Sequence, residues 1–336
     1  MKKEIIIILF FFVIFIYNGA EMTTKSSMGG MFLRILCLLV PSKRARHVIR
    51  VGCFVHGSLF NFLRAALRIR AGLENRPEKF PFFLSAVCII KNEARHIKEW
   101  LDFHIKIGVE KFYIYDNDSD DDIKTVLSPY VKSGVVDLTP FPGKGRQVLA
   151  YADCVDRHRA DTKWLAIIDA DEFIAPRSGD GVRKVLESLP DDAAQLCMLW
   201  RNFGTSGLEK SPESILRGNL YRAAEADAGQ GKSIIKPWNC VAPIVHDHIT
   251  FGPAVDTSGK RVSLSGTIGI FQNIATDKIV VNHYWVKSRE DFVGKWTRGN
   301  AFARHEDART VVDWAEFEKR DRNEVFDDAI LKLLDF

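Results

Sequence analysis

The sequence of 336 residues lacks the short motifs that mark several large enzyme classes. No GxGxxG follows a predicted strand, and the chain contains no GxSxG, no HExxH and no GxxxxGK followed by Ser or Thr. These absences argue against a dinucleotide oxidoreductase, an α/β-hydrolase, a zinc protease and a P-loop NTPase. Internal repeats and low-complexity tracts are also missing from the chain.

Cysteine is scarce, with six residues in the chain and none in CxxC spacing. Most of them lie inside apolar runs, as small buried hydrophobic side chains do. The spacing predicts neither a disulfide framework nor a zinc site. The cysteines therefore favour a reducing compartment, and we expect the protein in the cytoplasm.

Positive charge is unevenly placed, although the net charge of the whole chain is only +4. Residues 1–80 carry 13 Lys and Arg against 4 Asp and Glu, a net charge of +9, and the remainder carries −5. A basic and apolar N-terminal part fits contact with an anionic membrane surface better than nucleic-acid binding. We therefore expect membrane association and no nucleic-acid partner.

The first residues contain the one long apolar run, Ile5–Tyr17, which follows two lysines. This pattern resembles a signal peptide or an uncleaved single-pass anchor, although a membrane-spanning helix needs about 20 residues. Asn18 is a poor cleavage-site residue, and translation from a later methionine is a third interpretation: Met22, Met28 or Met31. The three interpretations stay open.

A second basic stretch contains six arginines among Val, Phe and Leu between Arg44 and Arg70. This composition is typical of an amphipathic segment that lies on a membrane. A basic helix packed on the body of the protein is the alternative.

From Phe82 onward, apolar runs of strand length alternate with helical patterns. The predicted strands are Ser85–Ile90, Lys111–Tyr115, Val135–Thr139 and Trp164–Ile168, and the predicted helices between them are Ala94–Ile107, Ile123–Tyr130 and Gln147–His158. This alternation predicts an α/β fold with a mostly parallel sheet and helices on both faces. The chain then divides into the N-terminal segment 1–80, a main domain 81–300 and a C-terminal helical tail 301–336.

Polar residues cluster at the carboxyl ends of the predicted strands, where ligands bind in sheets of this kind. Asn92 and Glu93 follow the first strand, and Asp116–Asp120 follow the second. Asp169 and Asp171 follow the fourth, and two carboxylates at this spacing can share one Mg²⁺ or Mn²⁺ that also binds phosphate oxygens. The alternative is a solvated acidic turn that caps the next helix.

Five stretches in this order resemble glycosyltransferase family 92 and its bacterial relatives, which are kin to family 2: CIIKNE from Cys88, EWLDFH from Glu99, YIYDNDSD from Tyr113, DADEF from Asp169 and HYWVKS from His283. The resemblance covers about residues 84–300. It implies the GT-A type of Rossmann-like, nucleotide-sugar-binding sheet, a divalent metal, and sugar transfer with inversion.

The resemblance also implies roles for single residues. Asp169 and Asp171 would hold Mn²⁺ or Mg²⁺ on the donor diphosphate, Glu172 would orient that site, and His283 would complete it. Donor-binding roles fall to residues at the strand ends and in two later segments: Asn92, Glu93, Asp116, Asn117, Lys144, Arg146, Lys287 and Ser288. The alternatives are a helix cap for Asn92, solvated charge for Lys144 and Arg146, and a core histidine for His283.

The catalytic base is the weakest assignment, because the acidic motif that family 2 enzymes carry downstream of the metal site is not recognisable here. Glu209 and Asp247 are weak candidates. His246 and His248, on one face of a predicted strand, form a metal pair or serve a structural or acceptor-site role.

These observations together predict a metal-dependent glycosyltransferase that uses a nucleotide sugar, with UDP-sugars favoured, and a glycan or lipid-linked acceptor in polysaccharide or glycoconjugate synthesis. Two other classes stay open: another metal-dependent phosphoryl- or nucleotidyl-transfer enzyme, and an inactive sugar-binding relative.

The N-terminal segment generates a first prediction. The full chain should sediment with anionic vesicles at low salt, because each arginine near such a surface contributes roughly 1 kcal/mol. High salt should release the protein if the arginines alone bind, and should fail to release it if Ile5–Tyr17 is inserted. A protein that starts at Phe80 should stay in solution and keep nucleotide-sugar hydrolysis. Failure of the full chain to bind anionic vesicles at low salt would refute membrane contact.

Overall fold

The computed structural model describes residues 43–73, 77–177, 179, 181–224, 229–246, 248–262, 270–271, 274–298 and 311–334. These residues form two compact units that separate between residues 73 and 77, close to the boundary predicted at residue 80. Each unit is described by itself.

The first unit is a pair of helices, α1 (Lys43–His56) and α2 (Leu59–Gly72). Gly57 stands between them with a φ of 76°, which glycine adopts without steric strain. Ser58 caps α2, since its hydroxyl accepts a hydrogen bond of 3.1 Å from the N–H three residues on. The turn and the cap together start the second helix directly after the first.

The arginines of this pair whose side chains are described are exposed: Arg50, Arg64, Arg68 and Arg70. None of the helices in the described ranges is long and apolar enough to cross a membrane. The apolar run Ile5–Tyr17 and the alternative start methionines lie outside the described residues. Membrane contact by residues 1–80 therefore stays a prediction.

The second unit begins with alternating strands and helices: β1 (Phe82–Ile90), α3 (Ile97–Lys106), β2 (Lys111–Asp116), α4 (Ile123–Lys132), β3 (Val136–Pro140), α5 (Gln147–His158), β4 (Thr162–Ile167), β5 (Glu172–Pro176) and α6 (Gly181–Glu187). It continues with β6 (Gln195–Asn202), α7 (Ile215–Gly218), β7 (Tyr221–Arg222), β8 (Gly231–Ile235), a 3₁₀ turn (Pro237–Asn239), β9 (Cys240–Ala242), β10 (Ile249–Thr250), β11 (Ala254–Val255), β12 (Ile279–His283) and α8 (Arg289–Arg298).

Nine of these strands form one sheet in the order β3-β2-β1-β4-β8-β6-β12-β5, with β11 added beside β6. β3, β2, β1 and β4 are parallel neighbours, and β6 is parallel to β12 and β11. β8 is antiparallel to both β4 and β6, and β5 is antiparallel to β12. The predicted mostly parallel α/β sheet is confirmed, with antiparallel strands in its second half.

Strand β1 shows why helices cover both faces of the sheet. Its even-numbered residues from Leu84 to Ile90 belong to one hydrophobic core, and Val87 and Ile89 belong to another. Trp100 of α3 packs in the first core, and Tyr151 of α5 packs in the second. Successive side chains of a strand point to opposite faces, so one strand contributes to two cores.

Every strand and helix predicted between Ser85 and Ile168 is present, with bounds that differ by up to three residues. The strand predicted around His246 and His248 is wrong, because β9 ends at Ala242 and β10 begins only at Ile249. Pro243 follows β9 directly and has no N–H for a strand ladder, which explains the break.

The prediction of a separate, helical C-terminal tail over 301–336 is wrong for residues 311–334, because this segment is only partly helical and belongs to the main unit. After α9 (Trp314–Arg320), the chain forms β13 (Val325–Phe326), which pairs with β7, and then a 3₁₀ turn (Leu331–Leu333). Ile330 is buried in the first core of the sheet.

Asp327 joins the C-terminal segment to the sheet through three arginines. One carboxylate oxygen lies 2.7 Å from Arg222 Nε, 3.0 Å from an Arg201 guanidinium nitrogen and 3.8 Å from one of Arg177. Burial alone would raise the pKa of Asp327, but the Arg222 hydrogen bond and the Arg201 charge outweigh it and lower that pKa. The carboxylate therefore stabilises the fold in its charged form.

We expect Asp327→Asn to destabilise the protein by roughly 2 kcal/mol at pH 7, the range of a hydrogen bond to a charged group. Because the folded-state pKa is lowered, this contribution is present above about pH 4, the pKa of an unfolded aspartate, and is lost as pH falls through the folded value. Urea unfolding of both proteins at several pH values measures the difference. Asp137→Asn, which removes a half-exposed partner of Lys111 at 2.7 Å, should cost less than about 1 kcal/mol. Equal losses in the two variants would contradict the prediction.

Candidate active site

The carboxyl ends of β1, β2 and β4 lie side by side because these strands are parallel neighbours. Hydrogen bonds join the turns after β1 and β2: the Asn92 N–H donates to Ser119 Oγ at 3.0 Å, and the Asp120 N–H donates to the Asn92 side-chain oxygen at 2.9 Å. Asn92 and Asp118 have φ values of 53° and 58°, which Asn and Asp tolerate better than most residues. These residues shape the turns, and Asn92 does not cap a helix.

Asp116 and Asn117 are buried where β2 ends. Asp116 accepts a hydrogen bond of 3.0 Å from the Ser119 N–H. The Asn117 amide donates to the carbonyl oxygens of Phe141 and Gly143, at 2.9 and 2.8 Å. Both side chains hold turns in place, and their predicted contact with a nucleoside stays a prediction.

Lys144 and Arg146 lie in the loop that Asn117 anchors. Lys144 is exposed, and Arg146 donates from Nε to the Pro142 carbonyl oxygen at 2.8 Å while its guanidinium stands 5.7 Å from the Phe141 ring centre. Their predicted role in binding phosphate remains untested.

Asp169 follows β4 and receives three side-chain donors. One carboxylate oxygen accepts from Tyr151 OH at 2.8 Å and from Gln147 Nε2 at 3.0 Å, and the other accepts from Lys232 Nζ at 2.9 Å. Burial would raise the pKa of Asp169, but the Lys232 charge outweighs it and lowers that pKa. Asp169 is therefore held as a charged group with both oxygens already bonded.

Lys232 is the cation that compensates the carboxylates after β4. Its side chain is 0% exposed, and its Nζ also lies 3.6 Å from Glu172 Oε2 and 3.2 Å from the Val245 carbonyl oxygen. The neighbouring Gly231 packs closely against β6, where no side chain fits, because a Cβ there would lie 1.9 Å from the Met198 carbonyl oxygen. Burial opposes the charged ammonium, but the two carboxylates outweigh it and raise the pKa of Lys232.

Glu172 is fully buried and shapes the turn between the two aspartates. Its Oε2 accepts a hydrogen bond of 2.8 Å from the Asp169 N–H, and Trp100 Nε1 donates to the Glu172 carbonyl oxygen at 2.8 Å. Burial raises the pKa of Glu172 well above its ordinary value, although Lys232 opposes this. The side chain thus supports the turn from within the core.

Asp171 and His283 meet across β5 and β12, where His283 pairs with Glu172 in register. His283 Nδ1 lies 2.9 Å from the acceptor Asn202 Oδ1, so Nδ1 carries the proton and donates it. Nε2 then presents a lone pair toward Asp171 Oδ1, 3.8 Å away. Two acceptors facing each other at this distance provide a place for a cation between them.

The charge states of these two residues suit a cation. Burial lowers the pKa of His283 to about 3, so its imidazole is neutral at pH 7. Burial would raise the pKa of Asp171, but the Lys295 ammonium outweighs it and lowers that pKa well below the ordinary value. Lys295 of α8 donates a hydrogen bond to the other oxygen, Asp171 Oδ2.

Asp171 and His283 would hold a divalent ion after a small movement of either side chain. With metal–ligand distances of about 2.1 Å, two ligands of one octahedral ion lie roughly 3.0 Å apart when adjacent and roughly 4.2 Å apart when opposite, and the observed 3.8 Å lies between these values. Within the described part of the chain, no group of three or more His, Cys, Asp or Glu side chains is placed to hold a metal. Mg²⁺ usually takes one or two carboxylates and completes its sphere with water and substrate phosphate, so a two-residue site is sufficient. The structure places two of the three predicted ligands, Asp171 and His283, side by side. The carboxylate of the third, Asp169, is bonded to other side chains instead.

Glu93 is bound by two cations from the segment after β12, one in the loop and one on α8. Lys287 Nζ lies 3.2 Å from one carboxylate oxygen, and the Arg298 guanidinium lies 2.8 Å from the other. Burial would raise the pKa of Glu93, but Lys287 and Arg298 outweigh it and lower that pKa. Ser288 is fully buried and its hydroxyl accepts from the Asp291 N–H at 3.0 Å, so it caps α8.

The candidate bases do not join this cluster in the described residues. Glu209 is exposed, with its carboxylate 4.0 Å from Arg289 Nε at the start of α8, and Asp247 lies outside the described residues. His246 Nδ1 and His248 Nδ1 bond to backbone groups, at 3.0 Å from the Gly231 carbonyl oxygen and 3.1 Å from the Ile244 N–H. Burial lowers the pKa of both histidines, to about 4 and about 3.

Sequence reasoning missed five residues that contact the carboxylates: Gln147, Tyr151, Lys232, Lys295 and Arg298. Gln147 and Tyr151 stand four apart on a predicted helix and so share one face, which was a usable signal. Lys232 is the charged residue in the apolar strand Gly231–Ile235, where a buried lysine needs a carboxylate partner. Lys295 and Arg298 stand three apart on α8 and so lie on one face of that helix, which is the same kind of signal.

Comparison with known proteins confirms the resemblance stated from the motifs, since a sequence profile described as Glycosyltransferase family 92 matches residues 85–313. A family 92 protein of Ricinus communis is 27% identical over 77% of this chain and 44% of its own length. One of Oryza sativa subsp. japonica is 29% identical over 70% of this chain and 38% of its own length. The chain thus spans less than half the length of these curated relatives.

Two further likenesses are more distant. A galactan beta-1,4-galactosyltransferase of Arabidopsis thaliana is 26% identical over 34% of this chain and 25% of its own length. The crystal structure of S. aureus TarS 1–349 in complex with UDP is similar with a TM-score of 0.33 and 15% identity, over 46% of this chain and 47% of that one. At that TM-score the structural likeness carries no conclusion about this chain.

The buried lysine generates a prediction about stability. Lys232→Met should destabilise the protein by about 3–5 kcal/mol, because it leaves the charged carboxylate of Asp169 without its cation. Adding Asp169→Asn to this variant should recover part of the loss by removing that unpaired charge. Denaturant unfolding of the single and double variants measures both effects.

A matched control is Lys98→Met, which removes an exposed lysine that pairs with Asp102 at 2.5 Å. Its effect should stay within about 1 kcal/mol. If Lys232→Met costs no more than this control, Lys232 does not compensate the carboxylates.

Proposed function

We propose that this chain, which belongs to glycosyltransferase family 92, transfers a sugar from a nucleotide-sugar donor to a glycan or lipid-linked acceptor with a divalent metal at the donor diphosphate. The single observation that carries the metal-dependent form of this proposal is the 3.8 Å approach of Asp171 Oδ1 and His283 Nε2 at the carboxyl end of the sheet. Ligands of parallel α/β sheets bind at that edge.

Asp171 and His283 would hold the ion, Mn²⁺ or Mg²⁺, which neutralises negative charge on the departing nucleoside diphosphate. The surrounding residues supply further positive charge: Lys287, Lys295 and Arg298 all bind carboxylates within the same cluster. Because these positive charges are already in place, they need not rearrange when negative charge develops on the leaving group.

Asp169 supports this site by fixing the turn after β4, and does not bind the ion in this proposal. Its two oxygens are bonded to Gln147, Tyr151 and Lys232, which fixes the turn that carries Asp171. Asp116 and Asn117 lie at the end of β2, two strands from β4, on the side where the nucleoside would bind. The proposed donor pocket therefore runs across the ends of β2, β1 and β4.

Transfer with inversion requires a base on the acceptor side, opposite the leaving group. Glu209 lies in the loop between β6 and α7, with its carboxylate 4.0 Å from Arg289 at the start of α8, the helix whose later residue Lys295 contacts Asp171. Inversion is part of the proposal as a family property, and the base is not assigned.

The donor and acceptor classes rest on the relatives. Similarity to a galactan beta-1,4-galactosyltransferase supports UDP-galactose as a first donor to test, followed by UDP-glucose. The basic helix pair of the first unit supports action at a membrane surface, where a lipid-linked or growing polysaccharide acceptor would be reached.

The test is the release of UDP from a set of UDP-sugars with Mn²⁺, measured with and without glycan acceptors, after a thermal-shift screen for donors that stabilise the fold. Transfer stimulated by one donor and one acceptor supports the proposal. Binding of a donor with no release would indicate an inactive relative, and phosphoryl or nucleotidyl transfer would indicate the other enzyme class. Either of these last two results would refute glycosyl transfer.

Two substitutions test the metal ligands. Asp171→Asn and His283→Ala should each weaken Mn²⁺-dependent UDP binding on the order of 10–100-fold, the range for disturbed metal sites, and should abolish transfer. Titration calorimetry with UDP, at fixed Mn²⁺ and without it, measures the effect in the folded proteins. Asp102→Asn, at an exposed pair with Lys98, is the control and should bind as the unmodified protein does. Unchanged Mn²⁺-dependent binding in both site variants would refute this assignment.

A further inference from the structure

Each aspartate of the turn after β4 is paired with a lysine, and the two lysines differ in their surroundings. Lys232 pairs with Asp169 from within a central strand, and its side chain is 0% exposed. Lys295 pairs with Asp171 from helix α8, and its side chain is 23% exposed. One lysine is enclosed by the core, and the other reaches the site from its solvent-accessible side.

Lys295 stands directly beside the proposed metal position. It bonds to Asp171 Oδ2, and Asp171 Oδ1 faces the His283 lone pair at 3.8 Å. The same ammonium donates to the Trp285 carbonyl oxygen at 3.3 Å and lies 4.5 Å from the centre of the Trp285 ring. A divalent ion between Oδ1 and His283 would share a single carboxylate with this ammonium, and the two like charges would repel.

Among the described residues, the other cations near the site are bound to other groups. Lys287 and Arg298 are both held by Glu93, at 3.2 and 2.8 Å. Lys232 is held by Asp169 and by the Val245 carbonyl oxygen, at 2.9 and 3.2 Å. Lys295 is the cation whose carboxylate is also a proposed metal ligand, so it is the one that metal binding disturbs.

We propose that Lys295 is the resident cation of Asp171 in the nucleotide-free protein, and that a divalent ion binds there weakly alone and more tightly together with the donor diphosphate. The inference rests on the proposed function, since it deepens the description of the same site. The diphosphate brings negative charge that offsets the ion and offers oxygens to Lys295, which leaves Asp171 free to bind the ion. Metal and nucleotide therefore bind as one nearly neutral unit.

This exchange makes metal binding and nucleotide binding depend on each other. UDP should raise the affinity for Mn²⁺, and by thermodynamic linkage Mn²⁺ should raise the affinity for UDP by the same factor. Removing the ammonium should raise the affinity for Mn²⁺ alone and reduce the factor by which UDP increases that affinity. Mn²⁺ alone should bind more tightly because its competitor is gone, and UDP should increase that affinity less because it loses a partner.

The experiment titrates Mn²⁺ into the full chain and follows the signal of free Mn²⁺ by electron paramagnetic resonance, with and without UDP. Lys295→Met should bind Mn²⁺ alone about tenfold more tightly than the unmodified protein, the effect of one hydrogen bond to a charged group. Lys295→Gln, which keeps a polar side chain, is a second variant with the same expected direction. Lys98→Met, at the exposed pair with Asp102, is the matched control and should leave both titrations unchanged.

The outcomes separate this inference from the proposed function. If the Lys295 variants are folded by circular dichroism and bind Mn²⁺ alone no more tightly than the unmodified protein, Lys295 is not a competing cation and the inference is refuted, while the metal site stands. If the unmodified protein binds Mn²⁺ neither alone nor with UDP, the metal-dependent donor site itself is refuted. Tighter binding in both variants, with a smaller effect of UDP, supports the exchange.

Discussion

The compensation of carboxylates by ammonium groups is the interaction on which the candidate site depends. The turn after β4 places Asp169, Asp171 and Glu172 within four residues, and mutual repulsion and lost hydration oppose that arrangement. Lys232 and Lys295 offset the charge, one from a strand and one from a helix. The position of β8 in the sheet and the direction of α8 are therefore part of the site, although neither carries a residue of the recognisable family motifs.

The first half of the fold was predictable because its strands and helices are separate and regular. Between Ser85 and Ile168, continuous apolar runs of strand length alternate with segments of helical period, and this alternation predicts parallel neighbouring strands. The same regularity placed Asp116 and Asp169 at one edge of the sheet. Asp171 and His283 could be paired as well, since the family resemblance, through two separate motifs, implied that both bind the metal, and β5 and β12 are adjacent.

The short strands and the ion pairs of the second half escaped prediction for reasons of size and distance. Strands of two residues, such as β7 and β13, have no periodicity to detect, and their pairing depends on contacts across about a hundred residues. A lysine in an apolar strand indicates a buried acidic partner but does not identify it. Lys232 could therefore have been noticed, but its pairing with Asp169 could not have been predicted. The arginines around Asp327 pose the same difficulty, because three of them converge on one oxygen from separate elements.

The long sequence separation of the ion pairs has a consequence for how the chain folds. Asp169 and Lys232 are 63 residues apart, Asp171 and Lys295 are 124 apart, and Glu93 and Lys287 are 194 apart. A partly folded chain that had formed β1 to β4 alone would carry these carboxylates at one edge without their counter-ions. Such a state is penalised by its own charge, and the β1–β4 half gains full stability only when the later strands arrive. We therefore expect the carboxyl edge of the sheet to join its two halves into one cooperative folding unit.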